Sequence, residues 1–360
     1  MPLLAVQVED FRCIRRADLQ LDSKLTLITG PNGAGKTSLL EAIFFLGRGR
    51  SFRSRQVERV IRSGASGLTV IGHLAGEVRP LVIGIHARPG NMDARIGGKE
   101  IGSLAELALA FPVQVIDPNL HKLIEEGPAT RRRSMDWGVF HVEPGFAREW
   151  QRYQRALKQR NAALRAAQAA ATTRAWDGEL SNSGELLTAA RERYVEQLGP
   201  WVERIAHSLI GGEITLSLAR GWPAGSSLPE ALADAWSRDT RLGVTTIGPH
   251  RADLRLRMEG HLARDRVSRG QQKLLAAAIV IAQLHCLRRQ TGRSGTLLLD
   301  DPAAELDVGR LQVLMDQIAD LDTQLIVTAT SPRVEGLARP GSVFHVEQGQ
   351  FDPDAIMLRR

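Results

Sequence analysis

The chain has few cysteines and no hydrophobic run long enough to cross a membrane. Its 360 residues include only Cys13 and Cys286, which lie far apart and form no CxxC motif. This scarcity argues against a disulfide scaffold and a zinc site, and it fits a reducing compartment. No stretch approaches the roughly 20 apolar residues that a membrane-spanning helix needs, and the N-terminus lacks the basic segment of a signal peptide. We expect a soluble, cytoplasmic protein with no membrane partner.

Acidic residues are outnumbered by basic ones. Lys and Arg total 47 against 40 Asp and Glu, so the formal net charge is +7, and the isoelectric point is near 10. This balance suits a polyanionic partner such as nucleic acid. A basic surface with no partner would give the same numbers. The length allows a large core and more than one domain.

A phosphate-binding loop follows an apolar strand near the start of the chain. Residues 30–37 match G-x-x-x-x-G-K-[ST] and lead into an apolar helix. The glycines let successive N–H groups point at the phosphates of ATP, Lys36 adds a positive charge, and Thr37 offers a hydroxyl to Mg²⁺. The residues predicted to bind ATP here, with Lys36 also catalytic, are Gly30, Pro31, Asn32, Gly33, Ala34, Gly35, Lys36 and Thr37.

An aliphatic strand that ends in two carboxylates is the second predicted element of the nucleotide site. Asp300 is expected to hold Mg²⁺, directly or through water, and Asp301 to polarise the attacking water. Many strands end in acidic turns without any such role. The segment Glu305-Leu306-Asp307 and the spacing after Ser268 favour the catalytic interpretation.

The segment Ser268–Lys273 opens a long apolar helix and resembles the signature motif of ABC-type ATPases. We expect the Ser268 hydroxyl and the Gly270 N–H to contact a γ-phosphate, with Gln271 beside them. The alternative is a helix N-cap, because Ser followed by Gln three residues later is a capping box. Both roles are compatible. In ABC-type heads this motif meets the nucleotide of the other protomer, so one loop and one motif per chain imply an ATP-dependent homodimer.

The sequence between these motifs changes in composition after Pro118. An apolar face containing Tyr153 repeats at helical spacing over residues 145–172, while Arg148, Arg152, Arg155, Lys158 and Arg160 lie elsewhere around that helix. A polar loop is predicted at Trp176 to Gly184, followed by a second helix kinked at Gly199-Pro200. The predicted domains are an N-terminal head part at 1–120, an inserted helical lobe at 121–240 and a C-terminal head part at 241–360.

Taken together, these motifs resemble the RecF family of bacteria, relatives of the SMC-like ABC ATPases. The similarity runs nearly end to end and is most specific over residues 131–164. Its elements include Asp10-Phe11-Arg12, Glu126-Gly127-Pro128, Arg131-Arg132-Arg133, Asp136 to Gly145, Leu157 to Leu164 and Gly248 to Leu254. The resemblance implies an α/β, ABC-type (SMC-like) P-loop ATPase head built from both ends of the chain, with an inserted helical lobe.

The resemblance also implies a function. RecF-like proteins are recombination mediators that bind gapped DNA, where duplex adjoins a single strand, and act with RecR and RecO to help load RecA. Arg12 occupies a position where such heads often meet the base or phosphates. Arg131, Arg132 and Arg133 are candidates for DNA contact, but a solvated basic turn or structural pairing with nearby carboxylates is an equal alternative. A transporter ATPase subunit is the competing function, and an SMC-type clamp would need longer coiled-coil arms.

Two departures from transporter ATPases predict slow turnover. Asp301 stands where those enzymes have a longer Glu, and Ala329-Thr330-Ser331 offers no His after the next strand. Both changes weaken the positioning of water, which suits a conformational switch. Gln114 is the candidate for the Q-loop residue, on an expected strand end.

Overall fold

The computed structural model describes residues 1–54, 56–76, 79–304 and 306–353. Glu305, part of the pattern noted above, lies outside the described residues. The strands are β1 (Leu3–Phe11), β2 (Ile14–Gln20), β3 (Leu25–Thr29), β4 (Leu68–Leu74), β5 (Leu81–Arg88), β6 (Asn91–Ile96), β7 (Lys99–Glu100), β8 (Val113–Ile116), β9 (Ile214–Ala219), β10 (Asp253–Met258), β11 (His261–Leu262), β12 (Thr296–Asp300), β13 (Gln324–Ala329), β14 (Ser342–Glu347) and β15 (Gln350–Pro353).

The helices complete the element list. They are α1 (Lys36–Arg48), α2 (Leu104–Ala110), α3 (Lys122–Glu125), α4 (Pro128–Val142), α5 (Phe146–Arg165), α6 (Ala170–Arg174), α7 (Asp177–Ile210), α8 (Leu228–Asp234), α9 (Trp236–Leu242), α10 (Arg269–Thr291) and α11 (Val308–Ala319). Within the described part of the chain, none of them has the length and apolar character to cross a membrane.

The chain divides into two compact units. The first contains Met1–Leu120 together with the chain from Leu287 onward, and the second contains His121–Cys286. The limits at residues 120 and 240 given above remain our sequence-based proposal for the domains. The first unit contains the predicted phosphate loop and the strand that ends in Asp300, and the second contains Ser268.

A mainly parallel sheet forms the centre of the first unit. Its strand order is β15-β14-β3-β13-β12-β8, with only β15 antiparallel to its neighbour. Every residue of β3, β12 and β13 is buried, as expected for parallel strands covered on both faces. Parallel strands end at the same edge, so the loop after β3 lies at the edge where β12 and β13 also end.

An antiparallel sheet, β2-β1-β4-β5-β6-β7, packs into the same hydrophobic core as the parallel sheet. The sequence of residues 69–74 and 81–86 predicts two antiparallel strands joined by a short turn, and the antiparallel pairing of β4 with β5 confirms this prediction. Helix α1 contributes buried apolar residues over most of its length, and Phe45 packs edge to face on Phe11 with ring centroids 5.8 Å apart. Because α1 is fixed in this core, the loop at its N-terminus has a defined position.

The second unit contains a helical hairpin made by α5 and α7. The predicted polar loop at Trp176 to Gly184 is wrong for all but its first residue, since α7 begins at Asp177. The Ser181 and Ser183 hydroxyls donate to the carbonyls of Asp177 and Glu179 at 2.5 and 2.6 Å. These bonds satisfy buried polar groups inside the helix. Pro200 lies within the same helix.

A fully buried arginine fixes one end of this hairpin. Arg160 has 0% exposure. Its Nε donates to Asp177 at 2.7 Å, and its Nη1 donates to Asp239 at 2.8 Å and to Thr245 at 2.9 Å. The sequence pattern set Arg160 apart from the apolar positions of α5, yet two carboxylates and a hydroxyl allow this charge to be buried.

The same cluster includes a partly buried histidine, His250. Nε2 of His250 donates to the Thr245 carbonyl at 3.0 Å, so its Nδ1 accepts the Tyr153 hydroxyl at 2.6 Å. Burial lowers the pKa of His250 to about 4 and raises the pKa of Tyr153 above its ordinary value. Gly248 is required beside them, because at φ 122° an added Cβ would lie 2.7 Å from the Tyr153 hydroxyl.

Candidate nucleotide-binding site

The backbone of the phosphate loop needs its glycines. Gly30, Gly33 and Gly35 have φ angles of 150°, 80° and 121°, which side chains disfavour. A Cβ on Gly30 would lie 2.3 Å from the Val346 carbonyl oxygen, and one on Gly35 would lie 3.3 Å from the Cys13 sulfur. The loop is therefore packed on one side against strand β14 and the turn between β1 and β2.

The other side of the loop is open to solvent. Pro31, Asn32 and Gly33 are exposed, and an added Cβ on Gly33 would meet no atom within 4 Å. Lys36 Nζ donates to the carbonyls of Gly30 and Pro31 at 2.7 and 3.0 Å. A buried ammonium group at a helix N-terminus beside an open, glycine-shaped loop can bind phosphate oxygens. ATP fits this arrangement.

Asp300 lies across from the loop and is held by two hydroxyl groups. The Thr37 hydroxyl donates to Asp300 Oδ1 and Oδ2 at 2.9 and 3.0 Å, and the Thr328 hydroxyl donates to Oδ1 at 2.9 Å. Parallel pairing of β12 with β13 sets Asp300 directly beside Thr328. The structure thus joins the two motifs that the sequence separates by more than 260 residues.

The Asp300 carboxylate suits a hard cation. Burial raises its pKa above the ordinary value of 3.8, the Asp301 charge adds to this effect, and the bonds from Thr328 and Thr37 oppose it. A cation would favour the ionised form of such a carboxylate. Carboxylate and hydroxyl oxygens are ligands that Mg²⁺ prefers. The described residues contain no group of three or more His, Cys, Asp and Glu side chains arranged to hold a metal.

Asp301 is held in an unusual backbone conformation. Its φ is 46°, in the left-handed region that costs non-glycine residues about 1–3 kcal/mol. Its N–H donates to the Thr328 carbonyl at 3.2 Å and the Thr328 hydroxyl at 3.0 Å. Among the described residues, its buried Oδ1 has no hydrogen-bond partner. A buried carboxylate oxygen with unused capacity is suited to accept a proton from water.

Arg12 is engaged within the protein. Its Nε and Nη2 donate to Glu41 at 3.0 and 2.7 Å, and its Nη1 donates to the Arg59 carbonyl at 2.7 Å. Glu41 is completely buried on α1 and also lies 3.8 Å from Arg53. Arg12 therefore ties the turn after β1 to the helix that follows the phosphate loop. A nucleotide contact by Arg12 remains a prediction.

Ser268, Gly270 and Gln271 lie at the start of α10 in the second unit. The Ser268 hydroxyl accepts the N–H of Gln271 at 3.3 Å, and the Gln271 side chain accepts the N–H of Ser268 at 2.9 Å. This reciprocal pair is a capping box, the alternative considered from the sequence. Ser268 is exposed and Gly270 is partly exposed. A serine hydroxyl that accepts one bond can still donate another.

The remaining candidates lie elsewhere. Arg131 is buried and paired with Asp253 at 2.8 Å, which matches the alternative of structural pairing with a carboxylate. Arg132 donates to a backbone carbonyl, that of Ala252, at 2.6 Å. Arg133 is exposed and donates to Thr130. Gln114 lies within β8, paired with Leu297 rather than at the strand end. Gln114 is therefore level with Leu297, three residues before Asp300, which corresponds to about 10 Å along the strand direction.

Thr328 and Glu41 are the important residues that sequence reasoning missed. The Thr328 hydroxyl contacts the Asp300 carboxylate and the backbone N–H of Asp301, and Glu41 anchors Arg12. The position of Thr328 in the strand after Asp300 is a usable signal, because consecutive parallel strands are often neighbours. Glu41 gives no such signal, since its partner arginine precedes it by 29 residues.

The fold and the site together define an ABC-type ATPase head. The phosphate loop and the strand that ends in a carboxylate belong to one parallel sheet, an antiparallel sheet packs into the same core, and the second unit contains a helical hairpin. A solved structure of the recombination mediator protein RecF with ATP, in the RecFOR pathway, covers 98% of both chains with a TM-score of 0.89 and 24% identity. An SMC head bound to the C-winged helix domain of ScpA covers 98% of this chain and 97% of its own, with a TM-score of 0.61 and 16% identity. The predicted fold class is confirmed.

Sequence comparison narrows this class. The family model for the RecF/RecN/SMC N terminal domain matches residues 2–351. The DNA replication and repair protein RecF of Shewanella pealeana is 40% identical over 355 residues, which cover 97% of this chain and 99% of that protein. This chain belongs to the RecF family, as its motifs indicated.

Proposed function

We propose that this chain is an ATP-dependent, DNA-binding recombination mediator that dimerises when it binds ATP. Support comes from its full-length similarity to proteins named for DNA replication and repair and from its structural similarity to a RecF solved with ATP. The net charge of +7 suits a DNA partner. The single observation that carries the ATP-dependent part is the shared position of Thr37 and Asp300 beside the phosphate loop.

Different residues of the first unit are proposed to bind ATP and Mg²⁺. The loop N–H groups and Lys36 would hold the phosphates, while Thr37 and Asp300 would hold Mg²⁺. When bound, Mg²⁺ neutralises charge between the β- and γ-phosphates. Thr328 keeps Asp300 and Asp301 in place, and the carbonyls of Gly30 and Pro31 hold the Lys36 ammonium group against the loop.

Hydrolysis is proposed to be slow and to reset a switch. Asp301 would orient and deprotonate the attacking water through its unbonded oxygen. Its side chain is one methylene shorter than Glu, which leaves a longer gap to the reacting phosphate. A slow step of this kind prolongs the ATP-bound dimer and so extends the time during which DNA is held.

The dimer is proposed to form when Ser268 of one protomer meets the nucleotide of the other. The Ser268 hydroxyl can take both roles at once. It accepts a hydrogen bond when it caps the helix, and it would donate a hydrogen bond when it contacts a phosphate. The N-terminus of α10 adds its partial positive charge. The two functions can therefore be separated by substitution.

Ser268→Asp tests this separation. Asp is as good an N-cap as Ser, so the variant should fold and bind ATP as a monomer, yet its negative charge should repel a γ-phosphate and abolish ATP-dependent dimerisation in sedimentation. Ser227→Asp is the matched control, because Ser227 forms the same capping box with Glu230 at the start of α8. Normal dimerisation of Ser268→Asp would restrict Ser268 to capping.

The DNA-binding part needs its own test. We expect binding to gapped DNA to exceed binding to duplex or single strands, and to require ATP, when the three substrates are compared with and without the nucleotide. RecR and RecO are the proposed partners, RecA loading the proposed outcome and the cytoplasm the proposed location. ATPase activity indifferent to DNA, with copurification of a membrane permease, would instead favour the transporter alternative, which no observation here supports.

A further inference from the structure

The small sheet of the second unit, β11-β10-β9, has an outer face built from arginines and hydroxyl residues. Arg255 pairs with Ser217 and Arg257 with Thr215 across β10 and β9. Directly opposed residues of an antiparallel pair share a face, and alternation along β10 turns Leu254 and Leu256 inward, where both are buried. The outward side chains are thus polar, with adjacent positive charges.

Two connected grooves extend this face. One, of about 400 Å³, is lined by Arg255, Arg257 and Arg264, and the other by Arg251 and the ring of Trp222. Asp253 and Arg255 line both grooves. We call Arg251, Arg255, Arg257 and Arg264 the arginine face.

The charges of the arginine face are largely uncompensated. Among the described residues, the guanidinium groups of Arg251 and Arg255 have no ion-pair or hydrogen-bond partner. Arg257 donates to a carbonyl, that of Gly260 at 2.6 Å, and Arg264 has only an exposed pair with Asp265 at 3.4 Å. Asp253, the carboxylate common to both grooves, is already paired with the buried Arg131.

We propose that the arginine face binds the phosphodiester backbone of nucleic acid. This inference rests on the proposed function and assigns it a contact surface. Arg255 and Arg257 lie about 7 Å apart along the strand, a spacing that lets them contact different phosphates of one nucleic acid strand, since the phosphates recur about every 3.4 Å of duplex axis. A guanidinium group can donate two parallel hydrogen bonds to two oxygens of one phosphate, and the neighbouring Ser217 and Thr215 hydroxyls add neutral donors.

The salt dependence of DNA binding tests this surface. The binding constant K falls as the salt concentration rises. Each lost phosphate contact makes the negative slope of log K against log salt shallower, by about 0.9 for duplex DNA and about 0.7 for single-stranded DNA. Arg255→Ala/Arg257→Ala should therefore weaken binding at 0.1 M salt about 60-fold for duplex or about 25-fold for a single strand. The difference from wild type should vanish near 1 M. Measuring duplex, single-stranded and gapped DNA with ATP shows which backbone the face contacts.

Controls separate charge from structure. Lys158→Ala/Arg241→Ala removes two exposed charges from the same unit and should leave the slope unchanged. Arg255→Lys/Arg257→Lys should retain it. Each variant must bind ATP like wild type, because the arginine face lies outside the nucleotide residues.

The outcomes distinguish this surface from the proposed function. If wild type binds no DNA, the proposed function fails and the inference falls with it. If wild type binds DNA with ATP while the Arg255→Ala/Arg257→Ala variant has the same affinity and slope, the function stands and the arginine face is refuted. Unchanged DNA binding with lost affinity for an acidic protein would likewise refute it and make the face a protein-binding surface.

Discussion

Thr328→Val removes a hydroxyl that donates to the Asp300 carboxylate and accepts the backbone N–H of Asp301, while leaving the shape of the side chain almost unchanged. The lost bond to Asp300 involves a charged group and is worth about 1.5–3 kcal/mol. Loss of a residue that orients a metal ligand commonly lowers metal affinity about 10–100-fold. We therefore expect Thr328→Val to lower the affinity for ATP in the presence of Mg²⁺ by about 10–100-fold. Affinity measured in EDTA should not change, because the phosphate loop is intact.

The pH dependence of the variant follows from the pKa of Asp300. Burial raises this pKa in wild type, and the Thr328 hydroxyl bond opposes the rise, so Thr328→Val should raise it further. A protonated Asp300 does not hold Mg²⁺. Binding therefore strengthens as pH rises through the raised pKa, and this acid limb should move to higher pH in the variant.

A fluorescent ATP analogue titrated across pH, with Mg²⁺ or EDTA, provides the measurement. Thr328→Ser retains the hydroxyl and should restore binding. Thr188→Val applies the same change at a buried threonine whose hydroxyl has no partner among the described residues, so it should be neutral. The reasoning is refuted if Thr328→Val binds Mg²⁺ and ATP like wild type, or if its affinity falls equally in EDTA.

Further predictions concern the loop lysine and the buried cluster of the second unit. Lys36→Ala should abolish ATP binding and ATP-dependent dimerisation, and a dimer that still forms with ATP in sedimentation would contradict the switch. Arg160→Leu should destabilise the protein to urea by about 3–5 kcal/mol because it strands two carboxylates, whereas the exposed Arg155→Leu should stay within about 0.5 kcal/mol. The pKa of His250 is lowered from 6.5 to about 4, so the unfolded state binds the proton first as pH falls. Stability should decline by about 3 kcal/mol between those values, and His250→Gln should remove that component.

The sequence predicted the parts of the site that are set by local pattern. The phosphate loop and the Asp300-Asp301 strand end are each contained within a few residues, where backbone geometry and residue type go together. The helix start at Ser268 was equally legible, including its capping box. The antiparallel pairing of β4 and β5 followed from alternation and a short connection.

The missing parts depend on contacts between distant residues. The role of Thr328 requires the register of β12 on β13, and the burial of Arg160 requires Asp239 and Thr245 to reach α5. Residues 177–184 are mostly polar, and this composition predicted a loop. A serine whose hydroxyl bonds to a carbonyl of its own helix cannot be distinguished, from sequence alone, from a serine in a turn. The expected position of Gln114 at a strand end was wrong for the same reason, since its place in β8 is set by pairing with Leu297.

The strand order of the parallel sheet has a consequence for synthesis on the ribosome. β3 precedes the phosphate loop, yet both of its neighbours, β13 and β14, come from the last tenth of the chain. The loop itself is closed by the Gly349 N–H, which donates to the Ala34 carbonyl at 2.7 Å. A nascent chain therefore carries its nucleotide motif for most of translation without the strands that support it. We therefore expect ATP binding to begin only after β13 and β14 have emerged and paired with β3.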